Sequence, residues 1–157
     1  MDDDTPTHGM RGLVANCVRE AAKRGTNVVE AEHVLLALAA DTATPTAALL
    51  ADAGLRYDTI DSALRAERLQ SLAAAGLTPV DASLLTAAPR TAKPAWGASV
   101  AAARAREHRG PPGERRRRSA EVGVLIGILR AEIGTVPRAL SIAGIDRSAL
   151  IVGLEQL

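Results

Sequence analysis

Histidine and cysteine side chains are the first candidates for chemistry in this sequence, because both are common metal ligands. The histidines are His8, His33 and His108, and Cys17 is the one cysteine. No pair of them has C-x-x-C or H-x-x-x-H spacing. We therefore expect no metal site, no cofactor and no catalytic residue. Cys17 lies on the apolar stripe of a predicted helix, so we interpret it as a core residue and not as a nucleophile.

The strongest charge feature is a run of four arginines, Arg115, Arg116, Arg117 and Arg118. Guanidinium groups bind phosphate backbones, acidic protein surfaces and phosphorylated side chains. Three interpretations stay open: a solvated loop between two helices, contacts to an anionic partner protein, and nucleic-acid binding. The formal net charge of +1 gives no global argument for nucleic acid. No aromatic residues are interleaved with the arginines to stack on single-stranded bases.

The elements that must position these side chains come from two similar segments. HVLLAL at 33–38 recurs as GVLIGI at 123–128, and LLADAGL at 49–55 recurs as ALSIAGI at 139–145. Both pairs share one ungapped offset, since Gly54 maps onto Gly144, 90 residues later. A repeat of this length predicts a tandem duplication of a small folding unit. The seam between two such halves is a common place for a binding groove.

Helical spacing of apolar residues predicts an all-α fold of about eight helices, in two sets of four, without a pair of strands. Tyr57 and Trp96 are the only aromatic residues, so aliphatic side chains must fill the core. We interpret Trp96 as a core anchor. The predicted helices are Met10–Lys23, Ala31–Ala40, Pro45–Gly54, Asp58–Ala74, a short helix from Thr78-Pro79, Lys93–His108, one after Ser119 to Glu132, and Ile145–Leu157.

We expect one compact domain with a disordered segment at 1–9, a first repeat at 10–76, a linker at 77–92 and a divergent second repeat at 93–157. No apolar run approaches the ~20 residues of a membrane span. The N-terminal residues lack the basic and apolar regions of a secretory signal. The single cysteine fits a reducing compartment. These observations predict a soluble, cytoplasmic protein.

The stretch NVVEAEHVLLAL at 27–38 resembles N-Y-I-G-T-E-H-I-L-L-G-L. That pattern marks the N-terminal domain of Clp-family AAA+ unfoldases, the ClpC branch especially. LLADAGL at 49–55 is similar to that family's L-x-x-x-G-[IL] segment, at a matching distance. The family domain is itself a duplicated four-helix unit, so the resemblance covers nearly the whole chain. The sequence has no G-x-x-x-x-G-K-[ST] phosphate loop. The resemblance therefore implies a free-standing N-domain without the ATPase motor.

The resemblance also implies site residues. In ClpC-type domains each repeat offers a glutamate at the start of the E-H helix, and the two glutamates help bind phosphoarginine, a degradation mark on proteins. Glu32 matches the first glutamate and His33 the residue after it. The 90-residue offset places Val122 at the second position, with Glu121 one residue before it. The alternative interpretation of Glu32 is a first-turn glutamate that complements the helix dipole.

The function implied by the resemblance is non-enzymatic binding. Such a module docks peptides, degradation-marked proteins or adaptors, and it modulates or mimics a ClpC-type unfoldase, including as a decoy for ligands or toxins. The alternative is a nucleic-acid-binding regulator that uses Arg115–Arg118. An enzyme is the third choice, because no convergent polar pocket with a perturbed base can be assembled from these residues.

Overall fold

The fold of the 157-residue chain is all-α. A computed structural model describes residues 9–78, 93–109, 113 and 118–157. The described helices are α1 (Gly9–Lys23), α2 (Ala31–Ala40), α3 (Pro45–Asp52), α4 (Tyr57–Ala74), α5 (Ala98–His108), α6 (Ala120–Leu129), α7 (Thr135–Ile142) and α8 (Arg147–Leu154). Two strands, β1 (Val28–Val29) and β2 (Ala95–Trp96), complete the described elements.

The third and fourth helices of the two halves begin at the predicted offset of 90 residues, and the first and second helices begin 89 residues apart. α3 begins at Pro45 and α7 at Thr135, and both are followed by a glycine in the left-handed region, Gly54 at φ +85° and Gly144 at φ +70°. The residue after each glycine donates its N–H back to the preceding helix, Leu55 to the Leu50 carbonyl at 2.8 Å and Ile145 to the Leu140 carbonyl at 3.0 Å. The two turns are the same helix-ending motif, in which only glycine avoids strain. The duplication therefore extends to the backbone.

The two halves pack on each other reciprocally. Within each half the first two helices pack together, α1 on α2 and α5 on α6. The third and fourth helices pack across the seam, α4 on α7 and α3 on α8, and α2 contacts α6 between them. The fourth helix of each half thus covers the third helix of the other. This reciprocal packing is what a pseudo-twofold axis requires.

Aliphatic side chains fill the core, as the composition predicts. Leu35, Leu36, Leu125 and Ile126 of α2 and α6 are almost wholly buried at the seam. Cys17 is also fully buried, and burial raises the pKa of its thiol to about 12. Such a thiol stays protonated and is a poor nucleophile. Its interpretation as a core residue is confirmed.

Several sequence predictions are wrong in detail. β1 and β2 form a parallel pair, with Val28 opposite Ala95 and Val29 opposite Trp96, where no pair of strands was expected. Two residues per strand are too few for an alternating pattern to reveal them. Trp96 lies in this surface ladder and not on a helix stripe, so its side chain is 49% exposed and is no core anchor. α5 consequently begins at Ala98, after the strand, and not at Lys93.

Three further boundaries shift. Arg56 and not Asp58 is the N-cap of α4. α6 ends at Leu129, before Glu132, and α8 spans Arg147–Leu154. The short helix predicted from Thr78-Pro79 and most of the 77–92 linker fall outside the described residues, as does the predicted disorder of residues 1–8. Within the described part, no single helix is long and apolar enough to span a membrane, and α2 with α3 would reach that length only as a pair bent by 100°.

Candidate functional site

The start of α2 is fixed by a histidine cap. The Glu30 backbone N–H donates to His33 Nδ1 at 2.9 Å, so the ring proton must lie on Nε2. Burial lowers the pKa of His33 to about 4, and the charge of Arg24 acts in the same direction. His33 is only 3% exposed. The structure therefore places this predicted site residue beneath the surface, as a neutral capping residue with a hydrogen-bond partner.

Glu30 joins the starts of α2 and α5 across the seam. Its Oε2 accepts from the Ser99 backbone N–H at 3.1 Å and from the Ser99 hydroxyl, while the Ala31 N–H donates to Ser99 Oγ at 2.7 Å. The Glu30 carboxylate also lies against Gly97, where an added Cβ would come within 2.0 Å of Oε1. The Glu30 carboxylate therefore has a structural role in joining the two helix starts. A side chain at position 97 would displace it, so this close approach favours glycine there.

Glu32 is different from its neighbours. It is half-buried in the first turn of α2, and burial is the main cause that raises the pKa of its carboxyl group. Its carboxylate has no ion pair within 4.0 Å among the residues that the structure describes. Glu20 and Glu67, which are more deeply buried, are both paired with arginine. A desolvated carboxylate without a counter-ion favours a bound cation.

Glu32 and Thr135 lie on the wall shared by two grooves at the seam. The first, which we call the Arg106 groove, has a volume of about 330 Å³ and lies between the starts of α2 and α5 and the α6–α7 turn. Arg106 is half-buried here and donates from Nη1 to the Gly127 carbonyl at 3.3 Å. The remaining lining is largely aliphatic: Ala31, Ile128, Ala131, Ile133, Val136 and Pro137.

The N-terminus of α7 opens on the same groove. Its N-cap is Gly134, at φ +120°, which has no side chain to accept from the first helical amides. Free amides at a helix start favour an anion. The Arg106 groove therefore combines one unpaired carboxylate with two features that attract negative charge.

The second groove, the Arg138 groove, has a volume of about 450 Å³ and runs between α4 and α7. Arg138 Nε contacts Glu67 Oε1 at 2.7 Å across the seam, and the Ser71 hydroxyl donates to the same oxygen at 2.6 Å. Arg24 pairs with Glu20 and with Asp61. Arg68 lines the groove as well, and it has no ion pair with any described residue. The walls of this groove are predominantly cationic.

The pseudo-twofold counterpart of the Arg106 groove is closed. A space of only about 10 Å³ lies between the start of α6 and the end of α2, lined by Leu13, Asn16, Ala37, Leu38, Asp41, Thr44 and Glu121. Subtracting the 90-residue offset converts Arg106, Ile128, Ala131 and Gly134 into Asn16, Leu38, Asp41 and Thr44. Larger side chains replace Ala131 and Gly134, and Thr44 Oγ1 accepts from the Ala47 N–H at 3.1 Å, so α3 caps itself.

Glu121 lies in this closed pocket and not beside Glu32, so the structure does not bring the two predicted ligands together. Val122, at the position of the second family glutamate, is 4% exposed. Gly123 replaces His33, and the Glu107 carboxylate packs against it, 2.1 Å from where a Cβ would be. The sequence analysis did not identify Glu107. Its signal was Gly123, because a glycine at the position equivalent to His33 leaves space for another side chain. It also missed Arg138 and Glu67, which only the packing of α4 on α7 brings together.

A third groove, with a volume of about 530 Å³, lies within the first half, and Glu32 does not line it. Small residues of α2 and α3, Ala39, Ala47 and Ala51, form its floor. At its rim the Tyr57 hydroxyl donates to Glu20 Oε2 at 2.8 Å. The corresponding residue of the second half, Arg147, instead donates to the Leu129 carbonyl at 3.2 Å and to the Ala131 carbonyl. The duplicated surfaces therefore differ here too.

Arg115, Arg116 and Arg117 lie outside the described residues. Arg118 pairs with Glu155 at 3.6 Å, and Arg130 pairs with the same carboxylate at 3.0 Å. The role predicted for the four arginines stays a prediction. Across the described ranges, no group of three or more His, Cys, Asp or Glu side chains could hold a metal ion.

The family model for the Clp repeat (R) N-terminal domain matches residues 5–108, which is more than half of the chain. The match includes the first half, the β1–β2 pair and α5, together with Glu30, Glu32 and Arg106. No curated protein matches the chain.

Proposed function

The chain belongs to the Clp N-terminal domain family, and we propose that it is a binding module that docks peptides or degradation-marked proteins at one site, around Glu32. The family is a non-catalytic protein-interaction domain of Clp systems. The observation that carries the proposal is the half-buried Glu32 carboxylate, which has no counter-ion among the described residues and lies between two grooves.

The ligand that fits best is a phosphoarginine side chain. A guanidinium can donate paired hydrogen bonds to the Glu32 carboxylate, and the pairing repays the cost of burying that charge. The phosphoryl group then lies toward the α7 N-terminus or toward Arg106 and Arg68, where cations and free amides favour an anion. Phosphoarginine carries a guanidinium and a phosphoryl group, and the site offers a carboxylate for the first and cations and amides for the second.

A titration of isotope-labelled protein tests this proposal. We expect free phosphoarginine, but not arginine at the same concentration, to produce saturable amide shifts at the starts of α2 and α7. Glu32→Gln keeps the shape of the side chain, removes its charge and replaces one acceptor oxygen by an amide donor, so it should weaken binding at least about tenfold. Glu121→Gln, in the closed pocket, is the matched control and should bind like wild type.

Two results would overturn the proposal. One is the absence of shifts at millimolar phosphoarginine. The other is equal binding by wild type and Glu32→Gln, which would make Glu32 a first-turn residue that only complements the helix dipole.

Action on a ClpC-type unfoldase is the further part of the proposal. As a competitor for marked substrates, the 157-residue chain in excess should slow degradation of a phosphoarginine-bearing protein in a reconstituted ClpC reaction. The same excess of Glu32→Gln should slow it far less. Unchanged degradation at excess wild-type protein would contradict both the modulating role and the decoy role.

A further inference from the structure

The α6–α7 turn carries the most exposed large apolar side chain in the described part of the chain. Ile133 is 85% exposed, whereas the next such residue, Val152 on α8, is 58% exposed. Ile133 is also part of the wall of the Arg106 groove, beside Gly134. Gly134 is at φ +120°, a conformation that other residues adopt only with strain, so the turn that carries Ile133 to the groove edge requires glycine at this position.

The groove behind Ile133 is apolar at its base. Ile128, Val136 and Ala131 line it and are at most 8% exposed. Glu32 and Arg106 line the same groove, so an aliphatic surface adjoins the Glu32 carboxylate, which has no ion pair with a described residue. The first half lacks this feature, because Ala43 stands at the position of Ile133 and does not line the closed pocket.

We propose that Ile133 is a specificity residue, and this inference rests on the proposed function of the Glu32 site. Ile133 and the apolar base of the groove accept an aliphatic side chain that neighbours the residue bound by Glu32. The preferred partner is therefore an extended peptide in which phosphoarginine is adjacent to leucine, isoleucine or valine. Charge complementarity places the guanidinium at Glu32, and the continuity of the groove places the aliphatic neighbour at Ile133.

The expected preference follows from the apolar area. At ~25 cal/mol per Å², burial of only about 55 Å² corresponds to a tenfold change in affinity. Contact between a leucine side chain and Ile133 readily covers such an area. The preference is thus large enough to measure.

Two synthetic peptides test the inference, one with phosphoarginine between leucines and one with phosphoarginine between serines. We expect wild type to bind the leucine peptide about tenfold more tightly. Ile133→Ser should bind both peptides alike, because the leucine side chain loses its aliphatic contact. Val152→Ser is the matched control: it removes an exposed β-branched side chain that lines none of the grooves described above, so it should keep the preference.

The outcomes separate this inference from the proposed function. If wild type binds free phosphoarginine but binds both peptides equally, the role of Ile133 is overturned and the Glu32 site stands. If the leucine preference persists in Ile133→Ser, or is lost equally in Val152→Ser, the inference is also overturned. If wild type binds none of the three ligands, both proposals fail. A thermal melt of each variant shows that the fold is kept.

Discussion

The two ends of the seam come from one duplicated unit, yet one holds an open groove and the other a closed pocket. The Arg106 groove measures about 330 Å³ and its counterpart about 10 Å³, roughly the space of one water molecule. The third helices match at the 90-residue offset, whereas α2 and α6 begin and end 89 residues apart, so the two ends differ in side chains and by one residue in the start of the second helix. Where the open end has Ala131 and Gly134, the closed end has Asp41 and Thr44. The groove is therefore open at the end with the smaller of these side chains and closed at the end with the larger ones.

The two halves also differ in how the N-terminus of the third helix is capped. Thr44 caps α3 with its own hydroxyl, and Gly134 leaves the first amides of α7 without a side-chain acceptor. The side-chain cap stabilises α3, and its bonded amide is not available to a ligand. Without such a cap α7 is less stable, but its first amides can donate to an anion. On the proposed function, the first copy contributes a stabilising cap and the second an anion-binding helix start.

The packing of α5 on α6 should be the most sensitive difference between the halves. A Cβ at Gly127 would lie 2.1 Å from the Ala103 carbonyl oxygen, which is backbone and cannot rotate away. We expect Gly127→Ala to lower the free energy of unfolding by about 3 kcal/mol or more, measured by urea denaturation. The reverse change in the first half, Ala37→Gly, should cost only about 1 kcal/mol. Equal losses would mean that α1 and α5 pack on their partners alike.

His33 should make the first half the acid-sensitive one, because Gly123 at the corresponding position cannot titrate. The pKa of His33 is about 4 in the folded protein against 6.5 for an ordinary histidine. Between these values the unfolded chain binds a proton that the folded chain refuses, so stability falls as the pH decreases from about 6.5 to 4. We expect a loss on the order of 2–3 kcal/mol, removed in His33→Gln.

Glu32 should act with the opposite sign. Its carboxyl pKa is raised, so the folded protein holds a proton that the unfolded chain releases, and acidification through that range stabilises the fold. Glu32→Gln should therefore steepen the loss of stability on acidification. Urea denaturation at several pH values measures both effects, and a His33→Gln protein with the wild-type pH dependence would contradict this account.

The Arg138–Glu67 pair has no equivalent in the other half, where Ala48 stands at the arginine position. The Glu67 side chain is 5% exposed, so Arg138→Ala would leave a buried carboxylate with the Ser71 hydroxyl as its main partner. We expect a loss of about 2 kcal/mol, reduced from the value for a fully buried pair because Arg138 itself is half exposed. Arg130→Ala breaks the exposed pair with Glu155 and should cost less than about 0.5 kcal/mol.

A smaller effect than for Arg138→Ala should come from loss of the α3 cap. Thr44→Ala removes the acceptor for the Ala47 N–H, and we expect a loss of about 1 kcal/mol in thermal or urea unfolding. Phosphoarginine binding at Glu32 should not change. A gain of a second binding site in this variant would show that the threonine cap alone closes the counterpart pocket.

Local sequence patterns were sufficient for most of the fold. The bounds of α2 and the glycine ends of α3 and its counterpart follow from periodicity and from the offset, because helices and their ends depend on neighbouring residues. The β1–β2 pair was not predictable, since its two strands of two residues lie more than 60 residues apart. The exposure of Trp96 follows from that pair and was missed with it.

The candidate site was only partly accessible to sequence reasoning. The family pattern pointed to Glu32, but nothing local distinguishes its unpaired carboxylate from the bonded one of Glu30. That difference depends on Ser99, which folds against Glu30 from the other half. The closure of the counterpart pocket likewise depends on Asp41 and Thr44 meeting Glu121 across the seam. Long-range contacts of this kind leave no periodicity in the sequence.

The reciprocal packing of helices across the seam affects how the protein folds during synthesis. α3 is covered by α8, and β1 pairs with a strand that precedes α5, so the first half has no partner for these surfaces until the second half leaves the ribosome. At roughly 5–20 residues per second this wait lasts on the order of ten seconds. During that time an aliphatic surface is open to solvent or to chaperones. The two repeats therefore fold as one unit during synthesis, although the sequence pattern predicts two.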